Sequence, residues 1–80
     1  MNINSVESAT LAAIGYDDRR KILQLEFHSR AVYRYVEVPG AVYEALVAVP
    51  SKGRYFNEAI RGRFSYSRIS QADPGRRGES

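Results

Sequence analysis

Alternation of apolar and polar side chains is clearest between residues 22 and 27. Three large apolar residues share one face of this segment, Leu23, Leu25 and Phe27, and Gln24 and Glu26 share the other. A period of two with this contrast predicts a strand that is buried on one face and solvated on the other. Just upstream, residues 11–17 set Ile14 and Tyr16 on one face, and the polar run 17–20 is suited to a hairpin turn.

A third strand is predicted over Val32–Val38, which is rich in β-branched and aromatic residues. Alternation alone leaves both orientations of this strand open, because Tyr33 and Tyr35 share one face and Val32, Arg34 and Val36 share the other. On the solvent face, Arg34 would lie across from Glu26 or Gln24. We therefore expect the two tyrosines to point inward.

The apolar spacing changes to that of a helix after Pro39, a residue suited to the first helical position. The stripe of this first helix comprises Val42, Leu46 and Val49, flanked by Tyr43 and Ala45, and Pro50 ends the helix. Ser51 is a suitable N-cap for a second helix, and Gly62 is a suitable stop. The second stripe comprises Tyr55, Phe56, Ala59 and Ile60. Helices of about ten residues are marginal alone, so both must pack on the sheet.

The predicted fold is therefore α+β: a three-stranded antiparallel meander followed by two short helices packed on one sheet face. Residues 64–69 alternate again, which fits either a short C-terminal strand or an extended segment lying on the core. We interpret residues 1–10 as a polar lead-in. Eighty residues suffice for one core, so we expect a single domain over residues 1–69 and a disordered tail over residues 70–80.

The composition limits which additional interactions, such as disulfides or a bound metal, could stabilise so small a domain. The chain has no cysteine and one histidine, His28, which excludes disulfides and leaves little for a zinc site. Association with a second copy remains open, because small domains often need such support. The longest apolar run, residues 45–49, is too short to span a membrane, and the N-terminus lacks the pattern of a signal peptide. We expect a cytoplasmic protein without a membrane partner.

The formal net charge of +3 is unevenly distributed along the chain. Residues 1–50 carry −1, residues 51–69 carry +4 and residues 70–80 are neutral. The excess of basic residues therefore belongs to the second predicted helix and the segment after it. A local excess of this kind fits a surface that meets a polyanion, but it is also common on ordinary solvated surfaces.

Several residues together resemble the KTSC domain, a short module found at the C-terminus of some lysyl-tRNA synthetases and as stand-alone bacterial or phage-associated proteins. They are Val6, Ser8, Ile14–Asp17, Leu25, Phe27, Tyr33–Tyr35, Val38–Pro39, Ser51–Asn57 and Ile60–Arg61. The resemblance spans most of residues 6–66 and implies the fold more strongly than an activity. RNA binding is what the synthetase context suggests. Arg30 departs from the pattern, since glycine is usual in that turn.

Catalytic chemistry has little to build on. The only imidazole, His28, falls in a predicted exposed turn, whereas a general base needs an orienting partner and a cleft. Asp17 and Asp18 are adjacent at a strand end and make a poor metal site. Lys52-Gly53 lacks the glycine run of a phosphate loop. We expect no enzyme activity, no cofactor, no metal and no small-molecule substrate.

The leading hypothesis is a non-enzymatic module that binds RNA, or less readily DNA, through its basic second helix. The candidate phosphate-binding residues are Arg34, Lys52, Arg54, Arg61, Arg63 and Arg68. In an α-helix Arg54 and Arg61 would share the face opposite Phe56 and Ile60, although an ordinary solvated face with Glu58 between them explains the same pattern.

Two further alternatives stay open. The candidate stacking aromatics Tyr33 and Tyr35 could equally be core residues that leave their hydroxyls at the rim. A protein-interaction or homodimerisation module, using an exposed sheet face or edge strand, is the alternative function.

Overall fold

The protein was analysed as a computed structural model, which describes residues 1–69. Five strands form one antiparallel sheet in chain order: β1 (Asn2–Ser5), β2 (Leu11–Asp17), β3 (Ile22–Phe27), β4 (Val32–Tyr35) and β5 (Tyr66–Ile69). Two helices lie between β4 and β5: α1 (Gly40–Ala48) and α2 (Lys52–Tyr55), which continues as a π-helical turn over Phe56–Ile60. The predicted α+β class is confirmed, and the predicted tail at 70–80 lies outside the described residues.

Two strand predictions need correction. The predicted lead-in contains β1, which pairs with β2 so that Ile3 lies beside Gly15. An edge strand is held by backbone hydrogen bonds, and the sequence of β1 has no apolar alternation to reveal it. The third predicted strand, β4, ends at Tyr35 because Glu37 adopts φ +58°; Val38 then turns into the core and donates its N–H to the Lys21 carbonyl.

The two predicted hairpin turns have clear local causes. Asp17 accepts the backbone N–H groups of Arg19 and Arg20 between β2 and β3. Between β3 and β4 the Arg30 N–H donates to the Phe27 carbonyl, and Arg30 itself has φ +77°. This left-handed position is the one where the KTSC pattern usually has glycine, because a side chain there is strained.

Both helices begin without a side-chain cap. Pro39 precedes α1 instead of opening it, and Ser51 occupies the position before α2, where its carbonyl accepts the Tyr55 N–H but its side chain forms no capping bond. The second helix ends as predicted, since Gly62 adopts φ +76° and the Arg63 N–H donates to the Ile60 carbonyl. None of the helices in the described residues is long and apolar enough to cross a membrane.

One face of the sheet holds the core. Leu46 of α1 and Phe56 and Ile60 of the π turn are buried against the sheet residues Leu11, Ile14, Leu23, Leu25 and Tyr35. The predicted inward orientation of Tyr35 is confirmed, and Tyr33 is partly buried beside the same core. On the opposite face Arg34 pairs with Gln24. The sheet register therefore separates Arg34 from the two neighbouring tyrosines.

Candidate functional site

A cleft of about 350 Å³ opens between the end of the second helix and the β4–β5 end of the sheet. We call it the aromatic cleft. Its lining comprises Phe27, Ser29, Ala31, Tyr33, Tyr35, Phe56, Arg61, Gly62 and Tyr66. Five of these nine residues are aromatic and one is cationic, so the cleft offers ring surfaces beside a positive charge.

The register of β4 and β5 brings the tyrosines of the cleft together. Tyr66 lies beside Tyr35 and Arg68 lies beside Tyr33, which puts all four side chains on the core face of the sheet. The Tyr66 ring centroid is 5.3 Å from that of Tyr35 and 5.4 Å from that of Tyr33. Tyr66 nevertheless remains 57% exposed. One tyrosine thus presents much of its surface to solvent while two others support it.

The rings behind Tyr33 and Tyr35 fix their positions. Phe27 meets Tyr33 edge to face with ring centroids 5.7 Å apart, and Phe56 meets Tyr35 edge to face with ring centroids 6.0 Å apart. Phe27 and Phe56 also contact each other at 5.4 Å. Edge-to-face pairs of this kind are favourable and directional. The walls of the cleft are therefore preorganised by the core.

Two arginines flank the aromatic cleft. The Arg68 guanidinium carbon lies 5.9 Å from the centroid of the Tyr33 ring, within cation–π range. Arg61 lines the cleft from the end of the π turn and is exposed, with one terminal nitrogen 3.5 Å from the Asn57 side-chain oxygen. Neither arginine forms an ion pair with a carboxylate among the described residues. Both keep most of their hydrogen-bonding capacity.

Tyr35 is the most enclosed polar group of the cleft, at 4% exposure. Burial, together with the neighbouring phenols of Tyr66 and Tyr33, raises the pKa of Tyr35 to about 12, and the Arg61 guanidinium opposes this rise. The four groups therefore share one electrostatic environment. At neutral pH the Tyr35 hydroxyl keeps its proton.

Three other predicted phosphate-binding residues lie on the second helix and its exit, and we call them the helix cations: Lys52, Arg54 and Arg63. Lys52 donates to the carbonyls of Val47 and Val49, at 3.2 and 2.9 Å, and so satisfies the end of α1. Glu58 engages the other two helix cations. Its carboxylate lies 3.2 Å from Arg54 Nε, and its carbonyl accepts from Arg63 Nε at 3.2 Å.

Arg54 and Arg61 do not share the helix face that an α-helical projection predicts. Arg61 lines the aromatic cleft, whereas Arg54 lines a separate cleft against residues 8–10. The cause is the π turn, in which the Arg61 N–H donates to the Phe56 carbonyl five residues back. The wider turn changes the angle of every residue after Tyr55. Both arginines are exposed.

Arg34, the remaining candidate, lies on the sheet face opposite the cleft. Its Nε donates to Gln24 Oε1 at 2.8 Å, and Gln24 Nε2 donates to Glu26 at 3.3 Å. The predicted neighbours of Arg34 are confirmed. Within residues 1–69, no side-chain hydrogen bond or ion pair joins this small polar network to the aromatic cleft.

The Ser-Lys-Gly run at residues 51–53 has a structural role in addition to its charge. A Cβ atom at Gly53 would overlap the Thr10 hydroxyl and lie 3.1 Å from the Thr10 Cβ. Glycine therefore lets the start of the second helix approach the β1–β2 connection. Ser8 holds that connection by accepting the N–H groups of Thr10 and Leu11.

Residues 1–69 contain no group of three or more side chains that could together hold a metal ion. His28 is exposed, as predicted, and its Nε2 lies 2.8 Å from the Ser8 carbonyl. Its described contact is thus with the backbone of the β1–β2 connection.

Sequence reasoning missed three of the aromatic residues that line the cleft. The apolar pattern predicts Phe27 and Phe56 as core residues only, and Tyr66 is not among the candidate binding residues. The alternation over residues 64–69 contained the signal for Tyr66, because in a strand it shares a face with Arg68. A strand at β5 was one of two open alternatives, so this pairing could not be used.

Comparison with known proteins identifies the family to which this fold belongs. The family model of the KTSC domain matches residues 7–64. The chain belongs to the KTSC domain family. A protein from Stutzerimonas stutzeri is 41% identical over 66 residues, which cover 81% of this KTSC domain protein and 93% of that one. The region that the family model matches, residues 7–64, includes every aromatic residue of the cleft except Tyr66.

Two other relatives are lysine–tRNA ligases. Those from Nostoc punctiforme and a Nostoc species are 38% and 41% identical over 64 residues. The match covers 80% of this KTSC domain but only 11% of each ligase. Among solved structures, a KTSC domain protein from Yersinia pestis superposes with a TM-score of 0.84 at 30% identity, covering 86% of this chain and 97% of that one.

Proposed function

We propose that this KTSC domain is a non-enzymatic RNA-binding module whose aromatic cleft receives unpaired bases. The main support is that three features meet in one cleft: an exposed Tyr66 ring, two tyrosines that support it, and two arginines without carboxylate partners in the described residues. Proteins that bind single strands combine ring surfaces for bases with cations for phosphates. The aromatic cleft supplies both within one site.

Electrostatics supports the same location. Arg61 and Arg68 belong to the segment with net charge +4 and flank the cleft. The helix cations already donate to carbonyls or a carboxylate. A phosphate would have to compete for them with those partners. The proposal therefore assigns backbone contacts chiefly to Arg61 and Arg68.

The relatives support RNA over DNA as the ligand. The lysine–tRNA ligases act on tRNA by name and contain a segment similar to this chain. An RNA ligand also agrees with the cytoplasmic location expected from the sequence. Because ring stacking needs bases released from a helix, we expect unpaired RNA to bind better than a duplex.

Titration of labelled RNA tests the proposal. Fluorescence anisotropy would compare an unpaired oligonucleotide with a duplex at about 50 mM and about 200 mM salt. Replacing Arg61 and Arg68 together by Ala should lower the slope of log affinity against log salt by about 1.4, the value for two phosphate contacts on a single strand.

The matched control removes two of the helix cations, Arg54 and Arg63, by replacement with Ala. Its net charge equals that of the test variant, but we expect a smaller change in salt slope because both residues already have partners. Undetectable RNA binding at low salt would refute the proposal. Equal losses in the two variants would refute the assignment to the cleft.

A second candidate function is association through the sheet face opposite the helices. In the described residues no helix packs on that face, and it includes Ile3 of the edge strand β1, at 40% exposure. Sedimentation velocity distinguishes the two candidates. A dimer that Ile3→Lys dissociates, together with no retained RNA, would favour association.

A further inference from the structure

Tyr35 differs from the other cleft residues in combining an enclosed side chain with a polar tip. Its ring is packed against Tyr66 and Phe56, and it lines the cleft at 4% exposure. The Tyr16 hydroxyl offers a contrast, since it donates to the Val38 carbonyl at 2.6 Å. No residue in the described part of the chain forms such a bond with the Tyr35 hydroxyl.

An enclosed hydroxyl without a protein partner is costly when it stays unsatisfied. It is also the kind of group that fixes the orientation of a ligand in an otherwise apolar site. The Tyr35 hydroxyl is uncharged at neutral pH, like that of any tyrosine, and therefore both donates and accepts a hydrogen bond.

The surroundings of this hydroxyl suit a base edge better than a phosphate. The walls of the cleft are aromatic rings, which match the faces of a base. Arg61 and Arg68 lie at the flanks, where a sugar–phosphate chain leaving the cleft would pass. A base stacked on the exposed Tyr66 ring would lie in the cleft that Tyr35 also lines, which brings its polar edge near the Tyr35 hydroxyl.

We infer that Tyr35 is a specificity-determining residue, whose hydroxyl hydrogen-bonds the edge of an unpaired base held in the aromatic cleft. The inference rests on the proposed function and adds base preference to it. Stacking alone is tolerant of sequence. A hydrogen bond at the edge discriminates, because the bases carry their donors and acceptors at different positions, and a base with none at the position of the hydroxyl leaves it unpaired.

The test compares Tyr35→Phe with the unmodified protein on three oligonucleotides, oligo-A, oligo-U and oligo-C, each of about eight nucleotides, within the site sizes of single-strand binders. We expect the unmodified protein to prefer one of them by about 3- to 10-fold, the equivalent of one net hydrogen bond. Tyr35→Phe should weaken the preferred oligonucleotide by that factor and leave the poorest within about twofold, so that the preference disappears.

Tyr43→Phe provides the matched control. Tyr43 stacks on Tyr16 with ring centroids 4.8 Å apart and does not line the cleft. It should keep the preference unchanged. Thermal unfolding of each variant would exclude a general loss of structure.

The outcomes separate the inference from the proposed function. Loss of preference in Tyr35→Phe alone would support the inference. Binding with equal affinity for all three oligonucleotides, or a preference that survives Tyr35→Phe, would overturn the inference while the proposed function stands. Failure of the unmodified protein to bind any of them would overturn both.

Discussion

The two groups of cations in the C-terminal half of the fold have different surroundings. The helix cations Lys52, Arg54 and Arg63 contact carbonyls or a carboxylate of the fold. Arg61 and Arg68 instead lie beside the rings of the aromatic cleft. Charge along the sequence therefore does not distinguish the cations that the fold engages from those that lie beside the aromatic cleft.

The surroundings of an arginine determine how favourably it can bind a phosphate. An exposed ion pair such as Arg54 with Glu58 contributes little stability by itself. A phosphate that approaches Arg54 nevertheless meets the charge of Glu58 as well. An arginine over a tyrosine ring keeps its full charge and adds a planar surface. Equal formal charges are thus unequal as binding groups.

Removing the most exposed ring of the aromatic cleft should lower RNA affinity more than removing any helix cation. Replacement of Tyr66 by Ala deletes the surface on which a base would stack, at a cost of about 1–3 kcal/mol of binding free energy, or roughly 5- to 150-fold in affinity. Anisotropy titration at low salt measures this loss. Arg54→Ala, in the group already engaged, should change affinity far less.

Tyr66→Phe keeps the ring and serves as the conservative control. It should retain most of the affinity, since stacking needs the ring and not the hydroxyl. Tyr66 also packs on Tyr33 and Tyr35 in the neighbouring strand, so urea unfolding should accompany each titration. An unchanged affinity in a folded Tyr66→Ala variant would rule out stacking at this position.

Much of the fold could be predicted because its signals are local. Alternation identifies β3, the expected position of Arg34 across from Gln24 or Glu26 identifies the inward side of Tyr35, and helical spacing identifies core residues of the helices, Leu46, Phe56 and Ile60. The strand β1 left no such signal. Its pairing with β2 depends on backbone bonds that form only when the sheet exists.

The site was less predictable because it depends on one turn of backbone. An α-helical projection put Arg54 and Arg61 together, whereas the π turn over Phe56–Ile60 separates them. The sequence leaves Tyr33 and Tyr35 open as either core or stacking residues. In the structure they are packed on the core and also line the cleft.

Lys52 allows the structural role of the helix cations to be measured. Lys52→Met keeps most of the aliphatic stem but removes the donor to the Val47 and Val49 carbonyls. We expect the free energy of unfolding to fall by about 1 kcal/mol, as for loss of a charged cap at a helix end.

Urea unfolding measures the effect of Lys52→Met, with anisotropy titration in parallel. The RNA affinity of Lys52→Met should lie within about twofold of that of Arg54→Ala, because both variants lose one positive charge. A larger loss of affinity without a loss of stability would place Lys52 among the binding groups and remove the contrast.

The smallest expected effect concerns Arg30, a cation in the β3–β4 turn next to the cleft residues Ser29 and Ala31. Its φ of +77° is unfavourable for any residue with a Cβ atom. Replacing Arg30 by Gly removes this strain but increases the freedom of the unfolded chain. We expect a net gain of about 0.5 kcal/mol, which corresponds to roughly 2–4 °C in the thermal midpoint of a domain this size.

Because Arg30 is exposed and does not line the aromatic cleft, Arg30→Gly should leave RNA affinity and its salt slope nearly unchanged. Arg30→Ala is the matched control, since it removes the same charge and keeps the strained Cβ. A gain in stability for Gly but not for Ala would identify the backbone as the cause. If both variants instead lowered the salt slope by about 0.7, Arg30 would contribute a phosphate contact of its own, and the binding surface would extend from the cleft into the turn.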